Sequence, residues 1–324
     1  MLRDRFGRSI EYLRLSVTDR CDLRCTYCMP TGFKDFEEPG DWLTFDEIER
    51  LLRAFARLGT RRVRLTGGEP LLRRHVTSLA TRIAAIEGID DLSMSTNATQ
   101  LRRHAQALRL AGVKRLNVSL DSLDQACMRS ITGRDSHAQV MDGIMAGKEA
   151  GFDPIKINMV AMRGVNDGEI DRMAEFCIKH GFVLRLIEVM PMGQTGRNSA
   201  YLDLQPVRAR LQQRFDLVPQ ALELGGGPAR YLATRDGRSN IGFITPLSQH
   251  FCATCNRVRL SVDGTLYMCL GQEEKFEFRP LLRGGASDAE LEAAIREAIE
   301  LKPQMHEFSA RPEKIIRFMS QTGG

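Results

Sequence analysis

The stretch Tyr12-Leu-Arg-Leu-Ser-Val-Thr-Asp-Arg-Cys21-Asp-Leu-Arg-Cys25-Thr-Tyr27-Cys28 joins a short apolar run directly to three closely spaced cysteines. Tyr12–Val17 reads as a strand because apolar, aromatic and β-branched residues dominate it. Similar runs return at Val63–Thr66, Leu92–Thr96, Arg115–Leu120, Ile155–Val160 and Val183–Val189. Amphipathic, helix-like patterns fill 44–58, 75–86, 99–111, 123–131 with 137–150, and 167–180. Gly59, Gly112, Gly151 and Gly181 stand where each helix must stop before the next strand. Six such β-α units predict an α/β fold with a parallel sheet and helices outside it. Six units fall short of a closed eight-stranded barrel, so an open, partial (β/α)6 barrel is expected. Its working residues should collect at the carboxyl ends of the strands.

Beyond Met190 the rhythm changes, and the chain is divided into 1–194 and a carboxyl-terminal segment, 195–324. Gln194–Leu204 reads as loop, 205–215 as a short helix, and Gly225-Gly-Gly-Pro228 as a break. Ile241–Thr245, Arg257–Val262 and Thr265–Cys269 read as strands, the last two paired over an Asp263-Gly264 turn. A helix over 287–300 has Ser287 as its cap.

The 324 residues are 43% hydrophobic with a formal net charge of +5, enough for a sizeable core and without the dense basic tract of a nucleic-acid binder. No apolar run is long enough to span a membrane, and the charged start lacks the apolar stretch of a secretory signal. A cytoplasmic protein is expected. In that setting eight cysteines are not four disulfides. Six fall into two triplets, and Cys127 and Cys177 are expected to be core thiols.

The first triplet has the spacing C-x3-C-x2-C. Three thiolates so close can hold three irons of a 4Fe–4S cube and leave the fourth open to a ligand. A zinc knuckle is the competing reading, although structural zinc takes four protein ligands and only three are local. The second triplet, Cys252, Cys255 and Cys269, is C-x2-C-x13-C. With His250 it offers a Cys3His zinc site; alternatively it holds a second cluster with an open iron.

Several strands carry an isolated cation: Arg14, Arg64, Lys156 and Arg185, with Arg257 and Arg259 beside the second triplet. A buried unpaired charge is costly, and a shared anion would relieve that cost. The competing explanation is ion pairing with Glu11, Glu69, Asp121 or Glu188. Convergence of several cations favours a phosphate-rich substrate.

A C-x3-C-x2-C motif with an aromatic residue before the last cysteine resembles the signature of the radical S-adenosylmethionine superfamily. That resemblance implies an open iron bound by S-adenosylmethionine, whose cleavage yields a 5′-deoxyadenosyl radical. It places Tyr27 beside the adenine. Thr66-Gly67-Gly68-Glu69-Pro70 resembles the superfamily's motif for the methionine amino group, with Gly68 allowing close approach and Glu69 accepting from the amine. Ser119 resembles the ribose or carboxylate contact. Met190 resembles a backbone contact to adenine, with core packing as the alternative.

The two triplets, the Phe251-Cys-Ala-Thr-Cys-Asn-Arg-Val-Arg259 run and the terminal Gly323-Gly324 together resemble the GTP 3′,8-cyclase family of molybdenum cofactor biosynthesis. This resemblance implies two 4Fe–4S clusters, with the carboxyl-terminal segment closing the open side of the partial barrel. It implies abstraction of the ribose C3′ hydrogen of GTP and closure onto guanine C8. GTP contacts are implied at Arg14, Arg64, Ser95, Lys156, Arg257, Val258 and Arg259, with Arg14, Arg257 and Arg259 in catalytic positions and Arg62 and Arg185 as weaker candidates. Implied partners are a flavodoxin- or ferredoxin-like electron donor, a downstream cyclic pyranopterin monophosphate synthase and, as one arrangement, a homodimer. The Gly-Gly tail is implied to enter the catalytic pocket. One departure stands out: Ser95-Thr-Asn-Ala98 replaces the commoner Thr-Thr-Asn-Gly, and Ala98 tolerates positive φ poorly.

Overall fold

The computed structural model describes residues 1–29, 39–221 and 225–323. The six strands read from the sequence are present: β1 (Tyr12–Ser16), β2 (Arg62–Thr66), β3 (Asp91–Thr96), β4 (Arg115–Ser119), β5 (Ile155–Ala161) and β6 (Val183–Glu188). They lie parallel in chain order. The intervening helices are α1 (Phe45–Arg57), α2 (Val76–Ala84), α3 (Leu101–Leu110), α4 (Gln125–Thr132), α5 (His137–Glu149) and α6 (Ile170–His180). Helix α1 starts on a reciprocal cap: the Glu47 amide donates to Thr44 Oγ1 at 3.2 Å and the Thr44 amide to Glu47 Oε2 at 2.7 Å. Helix α6 ends at Gly181, whose φ of 72° is the left-handed stop.

The carboxyl-terminal segment extends this sheet at both edges. Its elements are α7 (Gly193–Arg197), α8 (Leu204–Arg214), β7 (Val218–Gln220), β8 (Arg230–Ala233), β9 (Asn240–Ile244), β10 (Arg257–Leu260), β11 (Thr265–Tyr267), β12 (Lys275–Glu277), α9 (Arg279–Arg283), α10 (Asp288–Glu300) and α11 (Met319–Thr322). Strand β10 pairs parallel with β1, and β9 pairs parallel with β6. The parallel run is therefore β10-β1-β2-β3-β4-β5-β6-β9, flanked by antiparallel β11-β12 and β8-β7. The six-stranded expectation is extended to eight parallel strands. Among the described residues the sheet does not close. Ser287 caps α10, as the sequence predicts. The hairpin of β10 and β11 turns at Gly264, with φ at 86°.

One hydrophobic core runs under both halves: Leu13, Leu51 and Leu65 share it with Leu260, Phe278 and Ile295. Outside it, α1 meets α10 through Arg50–Asp288 at 3.1 Å and Arg57–Glu292 at 2.5 Å. Such exposed pairs add little energy each and mainly fix orientation. Cys177 is a core thiol, as expected. Cys127 is only half-buried, because α4 turns it towards the Val165 carbonyl at 3.5 Å rather than into the core. Among the described residues no helix is long and apolar enough to cross a membrane.

Candidate active site

The parallel register sets isolated strand cations side by side. Arg259 of β10 is the cross-strand partner of Arg14, Arg14 of Arg64, and Arg64 of Ser93. Side chains at matched positions of a pleated sheet point to one face, so three arginines stand in a row. Tyr12 and Arg257 are paired two residues earlier, and so on the same face. Arg14, Arg64, Arg257 and Arg259, with Arg185 of β6, line a single cavity.

Their electrostatics show a site short of negative charge. Burial, with Arg259 and Arg64 alongside, holds the Arg14 guanidinium well below its ordinary pKa. Burial and the neighbouring Arg257 and Arg317 bring Arg259 to about 9. Arginine keeps its charge in proteins, so these depressions express the cost of crowding like charges away from water. Arg14 Nε, Arg257 Nε and Ser95 Oγ are buried without a hydrogen-bond partner among the described residues. Such orphaned donors fit an anionic ligand.

Of the four carboxylates that could pair with strand cations, Glu11 does so among the described residues, with Arg62. Arg62 bonds Glu11 at 3.2 Å and does not line the cavity. Glu69 is taken up by protein donors, Asp121 by Tyr27, and Glu188 by the Leu247 amide at 2.9 Å and the Ser248 amide at 3.1 Å. Arg185 is oriented by Asn158 Oδ1 at 2.8 Å and by Asn117 Oδ1. Lys156 is buried but is absent from the cavity wall, and burial together with Arg185 and Arg64 lowers its pKa to about 6. Val258 is buried too, and its side chain packs in the core.

All six clustered cysteines line this cavity, and all are free thiols. Cys21, Cys25 and Cys28 sit on the loop after β1. That loop is clamped to α4: the Arg24 amide donates to the Thr132 carbonyl at 2.8 Å and the Thr26 amide to Ile131 at 2.9 Å. The Leu23 amide points at Cys21 Sγ at 3.4 Å. Among the described residues no group of three or more His, Cys, Asp or Glu is placed to hold a single metal ion. Each thiol triplet borders the shared cavity, and N–H donors point at Cys21 and Cys255 sulfur. Tyr27 Oη donates to Asp121 Oδ2 at 2.7 Å, while Asp121 Oδ1 accepts from the Val160 amide at 2.8 Å. Burial raises Asp121 to about 6. Ser119 and Met190 line the wall nearby.

The Gly67-Gly68 pair also admits a second piece of backbone. A Cβ on Gly68 would lie 2.1 Å from the Arg20 carbonyl oxygen, and one on Gly67 would lie 2.3 Å from that of Thr18. The glycines admit the backbone of the cysteine loop, which bonds there through Gly68 N–Thr18 O at 2.8 Å and Glu69 N–Arg20 O at 2.7 Å. Gly68 also faces the cavity. Gly68→Ala is expected to destabilise the protein by about 2 kcal/mol, the scale of overpacking. Thermal unfolding measures this, and an unchanged midpoint would show that the loop yields freely. Glu69 is fully buried and outside the cavity wall. Its carboxylate accepts from Thr96 Oγ1 at 2.7 Å, the Asn97 amide at 2.6 Å and the Leu71 amide at 3.1 Å. Burial still raises its pKa to about 8. Ala98 keeps the left-handed backbone despite its side chain, with φ at 63°.

The second triplet draws on parts that sequence proximity did not indicate. His250 is exposed and outside the cavity wall; the histidine that lines the cavity is His306. Arg8 donates to the Cys252 carbonyl at 2.9 Å, and Lys302 Nζ lies 3.6 Å from Cys255 Sγ. Burial alone would raise the Cys255 thiol, yet Lys302 and Arg257 bring it to about 7. The chain's end also reaches the site. Thr322 is fully buried, and the Gly323 carbonyl accepts from Arg259. Gly324, the other half of the Gly-Gly pair, lies outside the described residues.

A partial parallel barrel carrying a C-x3-C-x2-C loop after its first strand defines a radical S-adenosylmethionine enzyme. Residues 15–177 match the model of the radical SAM superfamily, and 182–308 match that of Molybdenum Cofactor Synthesis C. The chain is 46% identical over 328 residues to a GTP 3′,8-cyclase of Marinobacter nauticus, covering 100% of this chain and 98% of the relative. It is 47% identical over 334 residues to one from Paracoccus denitrificans, covering 100% and 96%. The S-adenosylmethionine-bound crystal structure of Streptococcus suis SuiB shares the fold, with a TM-score of 0.63 at 17% identity, over 90% of this chain and 68% of that one. The chain belongs to the GTP 3′,8-cyclase family.

Proposed function

We propose that the protein converts GTP to (8S)-3′,8-cyclo-7,8-dihydro-GTP, the first step of molybdenum cofactor biosynthesis, in the cytoplasm. The observation that carries this reading is one cavity bordered by two cysteine triplets and a registered row of arginines. Cys21, Cys25 and Cys28 would hold one 4Fe–4S cluster, and Cys252, Cys255 and Cys269 a second. When bound, the first cluster and S-adenosylmethionine supply the radical that removes the C3′ hydrogen.

The chain's own residues bind, orient and shield. Arg14, Arg64, Arg257 and Arg259 take the triphosphate, since guanidinium matches phosphate geometry in paired hydrogen bonds. Arg185, fixed by two asparagines, joins them, and Lys156 stands buried outside the cavity wall, its charged form disfavoured until an anion enters. Ser95 offers its unpartnered hydroxyl. Gly68, Ser119, Tyr27 and Met190 border the space for S-adenosylmethionine, and Glu69 holds the turn between them. Ribose and guanine already belong to one molecule, so the site's share is to hold GTP in the conformer that brings C3′ and C8 together. The product passes to a cyclic pyranopterin monophosphate synthase, and electrons arrive from a flavodoxin- or ferredoxin-like donor.

Anaerobic incubation with GTP, S-adenosylmethionine and a reductant should yield the cyclised nucleotide; 5′-deoxyadenosine without nucleotide product would point to another substrate. In binding assays, Arg14→Ala should weaken GTP far more than guanosine. Loss of a charged hydrogen-bond partner costs about 1.5–3 kcal/mol. Equal losses for the two ligands would assign Arg14 to the fold instead.

A further inference from the structure

Lys302 follows α10 in the carboxyl-terminal segment and is 1% exposed. An ammonium group has three N–H donors and no acceptor. Here it meets three acceptors: the Met268 carbonyl at 2.7 Å, the Arg257 carbonyl at 2.9 Å and Cys255 Sγ at 3.6 Å. Met268 and Arg257 each adjoin a cysteine of the triplet, Cys269 and, two residues along, Cys255. One buried cation thus joins both chain segments that carry the second set of thiols.

A purely structural tie would be satisfied by the two carbonyls. The third N–H is spent on sulfur, a weak acceptor while it is a thiol and a strong one as the thiolate of a cluster. Hydrogen bonds to cluster sulfurs and local net charge set cluster reduction potentials. A positive charge and an N–H···S bond both favour the form carrying an extra electron. We infer that Lys302 is a positioning residue for the second cluster, which raises that cluster's reduction potential through its charge and its hydrogen bond to Cys255.

The inference rests on the two-cluster reading, and its test separates the two. The anaerobically reconstituted full-length protein is titrated with dithionite and followed by electron paramagnetic resonance. The signal that does not respond to S-adenosylmethionine reports the second cluster. Iron analysis of the unmodified protein comes first: about four irons per chain instead of about eight would defeat the two-cluster reading itself, whatever Lys302 does. Lys302→Met removes charge and donor at similar length, and Lys302→Gln removes the charge while keeping an N–H. The expected result is full iron, a second-cluster potential shifted to more negative values, further in Lys302→Met than in Lys302→Gln, and a first-cluster potential unmoved. If Lys302→Met does not retain iron, Lys302→Gln is read alone against the same expectation. An unmoved second-cluster potential at full iron, or loss of the second cluster from both variants, overturns the inference and leaves Lys302 a structural tie.

Discussion

Replacing Cys21, Cys25 and Cys28 together with alanine should abolish S-adenosylmethionine cleavage and leave about half of the iron. The first triplet lies on one loop tied to α4, whereas the second is carried by the turn before β10 and the residue stretch after β11. Different elements fix each set, so losing one should spare the other. On the proposed reading the radical originates at the first cluster, so the rate effect should be total. Anaerobic iron analysis together with assay of 5′-deoxyadenosine provides the check. Zinc in the second site of the unmodified protein, with four irons in all, would sink the two-cluster reading.

Gly323→Val should eliminate cyclisation while iron content and the unfolding midpoint stay near those of the parent. Gly323 has φ at 72°, which a β-branched residue does not adopt without strain. A Cβ there would fall 2.3 Å from Thr66 Cγ2 and 2.4 Å from its Oγ1. The tail would be driven off the end of β2 and away from Arg259. Because α11 is four residues long, its release should cost the fold little. Removing Gly323 and Gly324 should have the same outcome. Product analysis beside the parent protein decides it, and full activity in either variant would reduce the tail to a loose end.

The sequence displays the central six strands well because each is a short apolar run, and β2, β4, β5 and β6 each follow a helix stopped at a glycine. The edges were harder to see. Strands β7 and β12, Val-Pro-Gln and Lys-Phe-Glu, are three residues long and carry no apolar run. The parallel pairing of β10 with β1 joins residues about three-quarters of the chain apart, such as Tyr12 and Arg257, and local periodicity contains no trace of it. The cysteines and strand arginines were legible because each violates the pattern around it. Lys302 was not, since a lysine just past a helix reads as an ordinary C-terminal cation. His250, the histidine nearest the second triplet in sequence, is exposed and off the cavity wall, whereas His306, far along the chain, lines it. The role of Gly68 was half legible: its need for close approach was clear, but the neighbour it admits is backbone.

The pairing of β1 with β10 and of β6 with β9 also bears on how the molecule is made. While a ribosome is still synthesising the second half, the nascent sheet has two bare edges, each a template for wrong partners. Strand β9 must emerge to cover one edge and β10 to cover the other. Only then do Arg14 and Arg259 face each other, so the anion pocket is among the last features the newborn chain acquires. A truncation ending between β6 and β9 would keep the first cysteine loop, yet expose both edges and tend to aggregate.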